Sequence, residues 1–467
     1  MNSQYKPVRK PMWKLTKTLV NTAMGREKAD VVIKRGVLIN VYTGELIENV
    51  DIAIKEGRIA LVGDAGHTIG NETKIIDAKD TYMAPGFIDA HVHIESSMLT
   101  ATGFAEAVVP KGTTTVFADP HEIANVLGLE GVKLILKEAE TLPLKVFVCM
   151  PSCVPAAPGF ETAGAEIGPR EIREALTWEG VVALGEMMNY PGVIMCDDEV
   201  HDKISVTLKL GKPVEGHSNG LLGRELSAYV SAGITSCHEA TGIQEGIERL
   251  RAGMHLMIRE GSAWKDLKEV IKVVTNQKLN PRRVVLVTDD RHPADLMEEG
   301  HVNHVVKRAI EEGVDPITAI QMATLNPAEH YRMSHEIGGI APGRCADIIL
   351  LTDLERVEVS KVISDGVLVA ENGKLIVKIK KPEYPEKVKR TVKLKRPLKP
   401  EDFAIKAPIE SGYVKARVIG VKEYSVLTKH LIEKVKVENW SVKLNSENRI
   451  AKVAVIERHK LTGNMAL

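Results

Sequence analysis

Between residues 87 and 293 the chain alternates short apolar runs that end in polar residues with longer stretches of helical apolar spacing. That alternation is the sequence sign of repeated parallel strand–helix crossover units. Eight runs read as strands, at 87–93, 114–122, 145–151, 181–189, 213–218, 234–241, 256–261 and 284–293. The intervening stretches 170–176, 199–210, 224–230 and 245–250 carry amphipathic helical spacing and read as packing scaffold. The pattern predicts an α/β protein whose core is a (β/α)8 TIM-like barrel, with the carboxyl ends of its strands converging on one mouth.

Outside this core the pattern changes. After a short helix expected over 10–26, strands at 29–33, 37–41 and 51–55 are separated by Gly36, Gly44 and the Glu56-Gly57 turn. Similar runs return at 346–351, 357–363 and 367–370, so one small β-sandwich domain is expected from both flanks of an inserted barrel. The expected division is 1–80 and 336–380 for that domain, 81–335 for the barrel, 381–400 for a basic linker and 401–467 for a C-terminal α+β region. In the last of these, 412–421 and 449–455 read as strands around a helix-like 425–436. Residues 378–399 hold ten basic side chains against Glu383 and Glu386, interrupted by Pro382, Pro385 and Pro397. With so little aromatic content they read as a solvated linker or edge strand rather than a nucleic-acid patch.

Composition narrows the function classes. A chain of 467 residues accommodates a barrel and appendages, and its 62 basic and 62 acidic side chains cancel, so no polyanionic partner is called for. Five cysteines without metal-finger spacing read as buried hydrophobes in a reducing, cytoplasmic setting. No signal-peptide core and no run approaching membrane-span length is found, so neither secretion nor a membrane partner is expected. Phosphate-binding glycine motifs are absent, so neither a nucleoside-triphosphate nor a dinucleotide site is expected.

The strand ends carry the chemistry. His91 and His93 stand at i, i+2 on one strand face, and Glu186, His217, His238 and Asp289 follow at four later strand ends. Singly, His217 or His238 reads as an ordinary hydrogen-bonded histidine. Together, four imidazoles and two carboxylates suffice for two divalent cations sharing a ligand, and Glu186 suits the bridge because it offers two oxygens and a negative charge.

These residues also carry a resemblance. Residues 85–93, PGFIDAHVH, resemble the opening signature of the amidohydrolase superfamily, and the extension 94–100 is similar to its adenine deaminase family in particular. The similarity continues through 118–125, 185–189, 216–218, 237–239, 257–262 and the string TDDRHP at 288–293. It implies hydrolysis of adenine to hypoxanthine and ammonia at a two-metal centre, with manganese the first choice and iron or zinc the alternatives, in a homodimer. Superfamily relatives often use a carboxylated lysine after strand four, and its absence here argues against a dihydroorotase-like or allantoinase-like reading. Glu186 at that position agrees with the deaminase pattern instead. Family members continue past the point where this chain stops, so 401–467 is expected to be a shortened C-terminal part.

Attack on an amino-bearing ring carbon needs a nucleophile stronger than water, which a bound divalent ion supplies by lowering water's pKa to about 7. Asp289 is the expected general base, with Asp290 its alternative. Glu122 and His121 are the first candidates for proton transfer to the ring, and Glu95, Asp119 and Asp290 for holding it. Each has an alternative role in orienting the ligand imidazoles. Ser96 and Ser97 read as helix caps, and Arg291 and His292 as either a closing pair or a surface ion pair. Two other functions stay open: hydrolysis of a cyclic amide, which would release no ammonia from adenine, and a non-catalytic assembly protein, which would be expected to lack several of these ligands.

Overall fold

The computed structural model describes residues 5–425, 427–444 and 449–467. Eight short parallel strands occupy the eight expected places: Phe87–Val92, Thr113–Ala118, Lys145–Met150, Val181–Met187, Val214–Gly216, Ser236–Cys237, His255–Arg259 and Val284–Val287. The first five pair in chain order as one curled parallel sheet, and the last three as a second. Single parallel bridges join the two sheets at both seams, Val92 with Asp289 and Val214 with Ile234. Each strand stops short of its expected end because the polar residues there, at 119–122 and 288–293 for example, leave the ladder and form the rim.

Near-continuous apolar runs suit strands covered on both faces. Thr113–Ala118 and Phe87–Val92 are buried throughout. Ile88, Phe117, Cys149, Ala183, Met257 and Val285 come from six different strands yet form one cluster, which requires that they share the concave side. Tyr331 closes that cluster, its ring stacked on Phe117 at 3.6 Å and its hydroxyl donating to the Ala90 carbonyl. The outer side packs against the helices Ala101–Val108, Pro169–Ala175, Asp198–Lys209, Gly223–Ser231, Ile243–Arg251 and Val302–Glu311.

Both flanks contribute to one mixed sheet of nine strands. Ile348–Asp353, from the second flank, runs antiparallel to Tyr82–Pro85, which runs parallel to Val31–Asn40 from the first. The stretch 82–92 is thus divided at Gly86 between the flank sheet and the parallel core. A Cβ on Gly86 would come within 2.1 Å of the Thr114 side chain, so only glycine lets the chain pass from one sheet to the other here.

A buried ionic junction ties the two sheets together. Lys145, at the start of the third parallel strand, lies 2.6 Å from Asp347 and 2.5 Å from Asp365, and Arg9 reaches Asp365 at 2.9 Å. Burial opposes the charge on Asp365, but Lys145 and Arg9 outweigh it and hold the carboxyl below its ordinary range.

The C-terminal region departs from expectation. Residues 425–436 are not helical: Thr428–Glu438 is a strand, paired antiparallel with Gly412–Val421 along ten residues and with Ser441–Lys443 on its other side. The strand expected at 449–455 shrinks to Val455–Ile456, which pairs with Met465–Ala466. Among the described residues after Leu375 no helix exceeds four residues, so this region is β rather than α+β. The basic stretch 378–399 forms no strand, and its ten basic side chains are exposed, as expected of a solvated segment. It contains the turn of helix Glu386–Lys389, Tyr384 donates to Glu138 at 2.6 Å, and Lys387 pairs with Glu130. No helix is long and apolar enough to cross a membrane.

Because the junction charges compensate one another out of water, removing Lys145 leaves the buried Asp347 without a counter-charge and Asp365 with Arg9 alone. Lys145→Met is expected to destabilise the fold by about 3–5 kcal/mol, measured as a lowered urea midpoint. The loss should shrink in Lys145→Met combined with Asp347→Asn and Asp365→Asn.

Candidate metal centre

The six side chains singled out at strand ends meet at the carboxyl-terminal rim. Glu186, 3% exposed on the fourth strand, stands at their centre. Its Oε1 lies 3.5 Å from His93 Nε2 and 3.1 Å from His121 Nδ1, and its Oε2 lies 2.5 Å from His217 Nδ1 and 3.2 Å from His238 Nε2. Asp289 Oδ1 is 3.3 Å from His93 Nε2 and 3.8 Å from His91 Nε2. The rings of His91 and His238 stack at 3.8 Å.

Groups of potential ligand atoms within 4.8 Å of one another include His91, His93 and Glu186; Glu186, His217 and His238; and His91, His238 and Asp289. The first two share only Glu186, so one carboxylate stands between two sets of imidazoles. His91 Nε2 faces His93 Nε2 at 3.1 Å, where at most one hydrogen fits between two nitrogens. Converging ring nitrogens with carboxylates among them form a donor set that divalent Mn, Fe or Zn accepts.

The buried groups of the cluster set one another's protonation. Burial and the neighbouring His238 and His93 push His91 well below its ordinary value. Burial also opposes charge on His121 and His238, but Glu186 and the other carboxylates outweigh it and raise both to about 9. Glu186 is held well below the carboxylate range by His217, His121 and His238 against the opposing effect of burial, and Asp289 likewise by His93, His238 and His91.

Neighbouring groups fix these positions. The ring of His93 meets the Asp119 carbonyl through Nδ1 at 2.8 Å, which in the neutral ring leaves the Nε2 lone pair for the cluster. Asp119 is itself buried, its Oδ2 accepting the Glu186 N–H at 2.8 Å. A Cβ on Gly185 would lie 2.1 Å from that oxygen, so the glycine before Glu186 gives the contact its room. Burial raises Asp119 to about 7, and burial with the adjacent Glu122 raises Glu95 to a similar value. Glu122 Oε2 stands 3.8 Å from His93 Nδ1 and its Oε1 3.6 Å from His121 Nε2. Glu95 accepts the Ile123 N–H, and Asp290 lies beside His93 and Asp289. One oxygen each of Glu95, Asp119, Glu122 and Asp290 is buried without a hydrogen-bond partner among the described residues.

Other residues act differently from expectation. Ser96 and Ser97 donate back to the carbonyls of His93 and Ile94 and cap no helix. Arg291 is buried, donating to Glu299 and Gly300, while His292 caps the helix Pro293–Glu298. Two supports escaped the sequence reading. Arg259, fully buried, donates to Asp289 Oδ2 at 2.8 Å and also pairs with Glu239 and Asp266. Asp89 accepts from Thr288 at 2.5 Å and lies 3.1 Å from the buried His301. Their signal was present: a lone charge inside the apolar run Leu256-Met-Ile-Arg259, and an aspartate two residues before His91.

Residues 82–369 match the model of the amidohydrolase family. The chain belongs to the amidohydrolase family, whose members are metal-dependent. Its relatives within that family are adenine deaminases: it is 51% identical over 462 residues to the one from Moorella thermoacetica, covering 99% of this chain and 77% of that one. Identity to the adenine deaminase of Clostridium botulinum strain Langeland is 48% over 455 residues, 97% of this chain and 76% of the other. Among solved structures, a β-aspartyl dipeptidase from Fervidobacterium islandicum superposes with a TM-score of 0.56 at 18% identity, covering 76% of this chain and 98% of that one. Molinate hydrolase gives 0.52 at 18% identity over 73% and 95%. These two share the fold.

Because a cation needs neutral imidazoles, it must displace the protons that His238 and its neighbours carry. Manganese added to the metal-free protein near pH 7.5 is expected to release protons, read with an indicator dye in weak buffer. The affinity should rise with pH by about tenfold per unit for each proton displaced, and level off above about 9.

Proposed function

We propose that this chain hydrolyses adenine to hypoxanthine and ammonia at a centre of two divalent cations. The observation that carries this reading is the convergence of four imidazoles and Asp289 around Glu186 in a chain half identical to adenine deaminases. His91, His93, Glu186, His217, His238 and Asp289 are the ligands in this reading, with Glu186 shared. Cations bound there make hydroxide available near neutral pH.

Asp289 takes the proton of the attacking water and returns it to the departing amine. Arg259 supports that role by occupying Oδ2, which leaves Oδ1 toward the histidines. His121 and Glu122, beside the cluster and on the wall of a cavity, deliver a proton to the ring nitrogen next to the reacting carbon. Glu95 and Asp290 hold the purine through their unpartnered oxygens, and Asp119 acts through the Glu186 N–H that it accepts. Manganese is the metal of choice, with iron or zinc compatible with the same donors.

The finer architecture belongs to the same reading. The two parallel sheets, bridged at both seams, constitute one (β/α)8 barrel spanning 81–335. The nine-stranded sheet, with its own apolar core, is the small β domain expected from both flanks, and it takes in Tyr82–Pro85 beyond the expected boundary at 80, with 381–400 linking it to 401–467. A cytoplasmic homodimer is the expected form, and the five free cysteines agree with a reducing compartment.

Asp289→Asn and Glu186→Gln are each expected to lower adenine-dependent ammonia release by at least about a hundredfold without unfolding the protein. Chelation should abolish release and manganese should restore it. Near-normal turnover in either variant would remove the roles assigned to these two carboxylates.

A further inference from the structure

A cavity of about 660 Å³ opens beside the metal centre, and one of its walls comes from the end of the chain. On the inner side it is lined by His121 and Glu122, and His121 reaches Glu186 at 3.1 Å. On the outer side stand Phe160, from the loop after the third parallel strand, and the terminal hairpin with Arg458, His459 and Asn464. The hairpin is seated against that same loop and the basic linker. A Cβ on Gly164 would lie 2.9 Å from His459 Nδ1, Lys460 reaches Glu166 at 3.9 Å, and the Lys393 N–H donates to the Arg458 carbonyl at 2.8 Å.

The chemistry of this wall differs from that of the metal centre. Phe160 is 94% exposed, an apolar ring held toward water at the margin of a cavity whose inner face is ionic. An aromatic face offered in this way matches a flat heteroaromatic ring, to which stacking contributes in a manner tolerant of ring identity. The carboxamide of Asn464 both donates and accepts, which fits a purine edge, and Arg458 and His459 add donors for its ring nitrogens. The volume falls in the range of small-ligand sites.

We propose that Phe160 and the terminal hairpin form the outer half of the purine site, with Phe160 stacking on the ring and Asn464 holding the edge remote from the reacting amine. This rests on the deaminase reading for the identity of the ligand, while the wall itself is tested by binding alone. The manganese-loaded protein is titrated with adenine by calorimetry in an Asp289→Asn background, so that adenine is bound without turnover, with the wild-type wall and as Phe160→Ala, Phe160→Tyr and Asn464→Ala. Both alanine variants should weaken adenine binding on the order of tenfold. Phe160→Tyr should bind as the wild-type wall does, and all four proteins should keep the same metal content and melting temperature. An unchanged Kd in both alanine variants, or no adenine binding with the wild-type wall, would overturn the proposal. Ammonia release is followed separately, in the protein that keeps Asp289. Adenine binding that depends on Phe160 without ammonia release would uphold the wall and sink the assigned reaction.

Discussion

One buried carboxylate, Glu186, lies within about hydrogen-bonding reach of four imidazoles contributed by segments up to 145 residues apart, from His93 to His238. Collecting so many ionisable groups away from water is costly, and they repel one another wherever two carry the same charge. The arrangement stands because parallel strands deliver each side chain at the end of a rigid element, so little additional order is needed to bring them together. A second ring of contacts then removes the remaining freedom. Asp119 holds the Glu186 backbone and the ring of His93, Arg259 holds Asp289, and Asp89 ties the strand of His91 to Thr288. Asp289 adopts a left-handed backbone at φ 58°, a conformation that these neighbours must maintain.

The same logic extends outward. Strand ends keep their places only if the parallel sheets are braced, and the seam between the first and eighth strands rests on one bridge and the hydrogen bonds beside it. The flank sheet supplies part of the bracing. Tyr82–Pro85 belongs to it and passes through Gly86 directly into the strand that carries His91, while Lys145 anchors the third parallel strand to Asp347 and Asp365. A continuous path of ten residues, Tyr82 to His91, thus runs from the middle of the flank sheet to the candidate metal centre.

The parallel strands, and the side chains that converge at their ends, were legible because most of these strands are apolar runs closed by a histidine or carboxylate, a contrast that survives in a single sequence. Arg259 and Asp89 were not, since each looks like a polar interruption in a buried strand. Only the partners across the fold, Asp289 and His301, show what they compensate. The error at 425–436 has a different origin. Leu427, Leu431 and Val435 are four apart, a spacing that satisfies both a helical face and alternate positions of a strand. Pairing with Gly412–Val421 decides between them, and such pairing is a non-local fact. The wall made by residues 455–466 was invisible for the same reason: a rim position cannot be read from a segment whose neighbours lie some 300 residues earlier in the chain.

The two-ended sheet has a consequence for biosynthesis. Tyr82–Pro85 leaves the ribosome with its neighbour Val31–Asn40, but the strand that pairs with its other edge, Ile348–Asp353, follows more than 260 residues later. At about 5–20 residues per second, that interval lasts roughly 13 to 53 s, during which an apolar, hydrogen-bonding edge waits open. Translation speed across the intervening segment therefore sets how long this edge stays unpaired. The last-made half of the sheet acts as the clasp that ends the exposure.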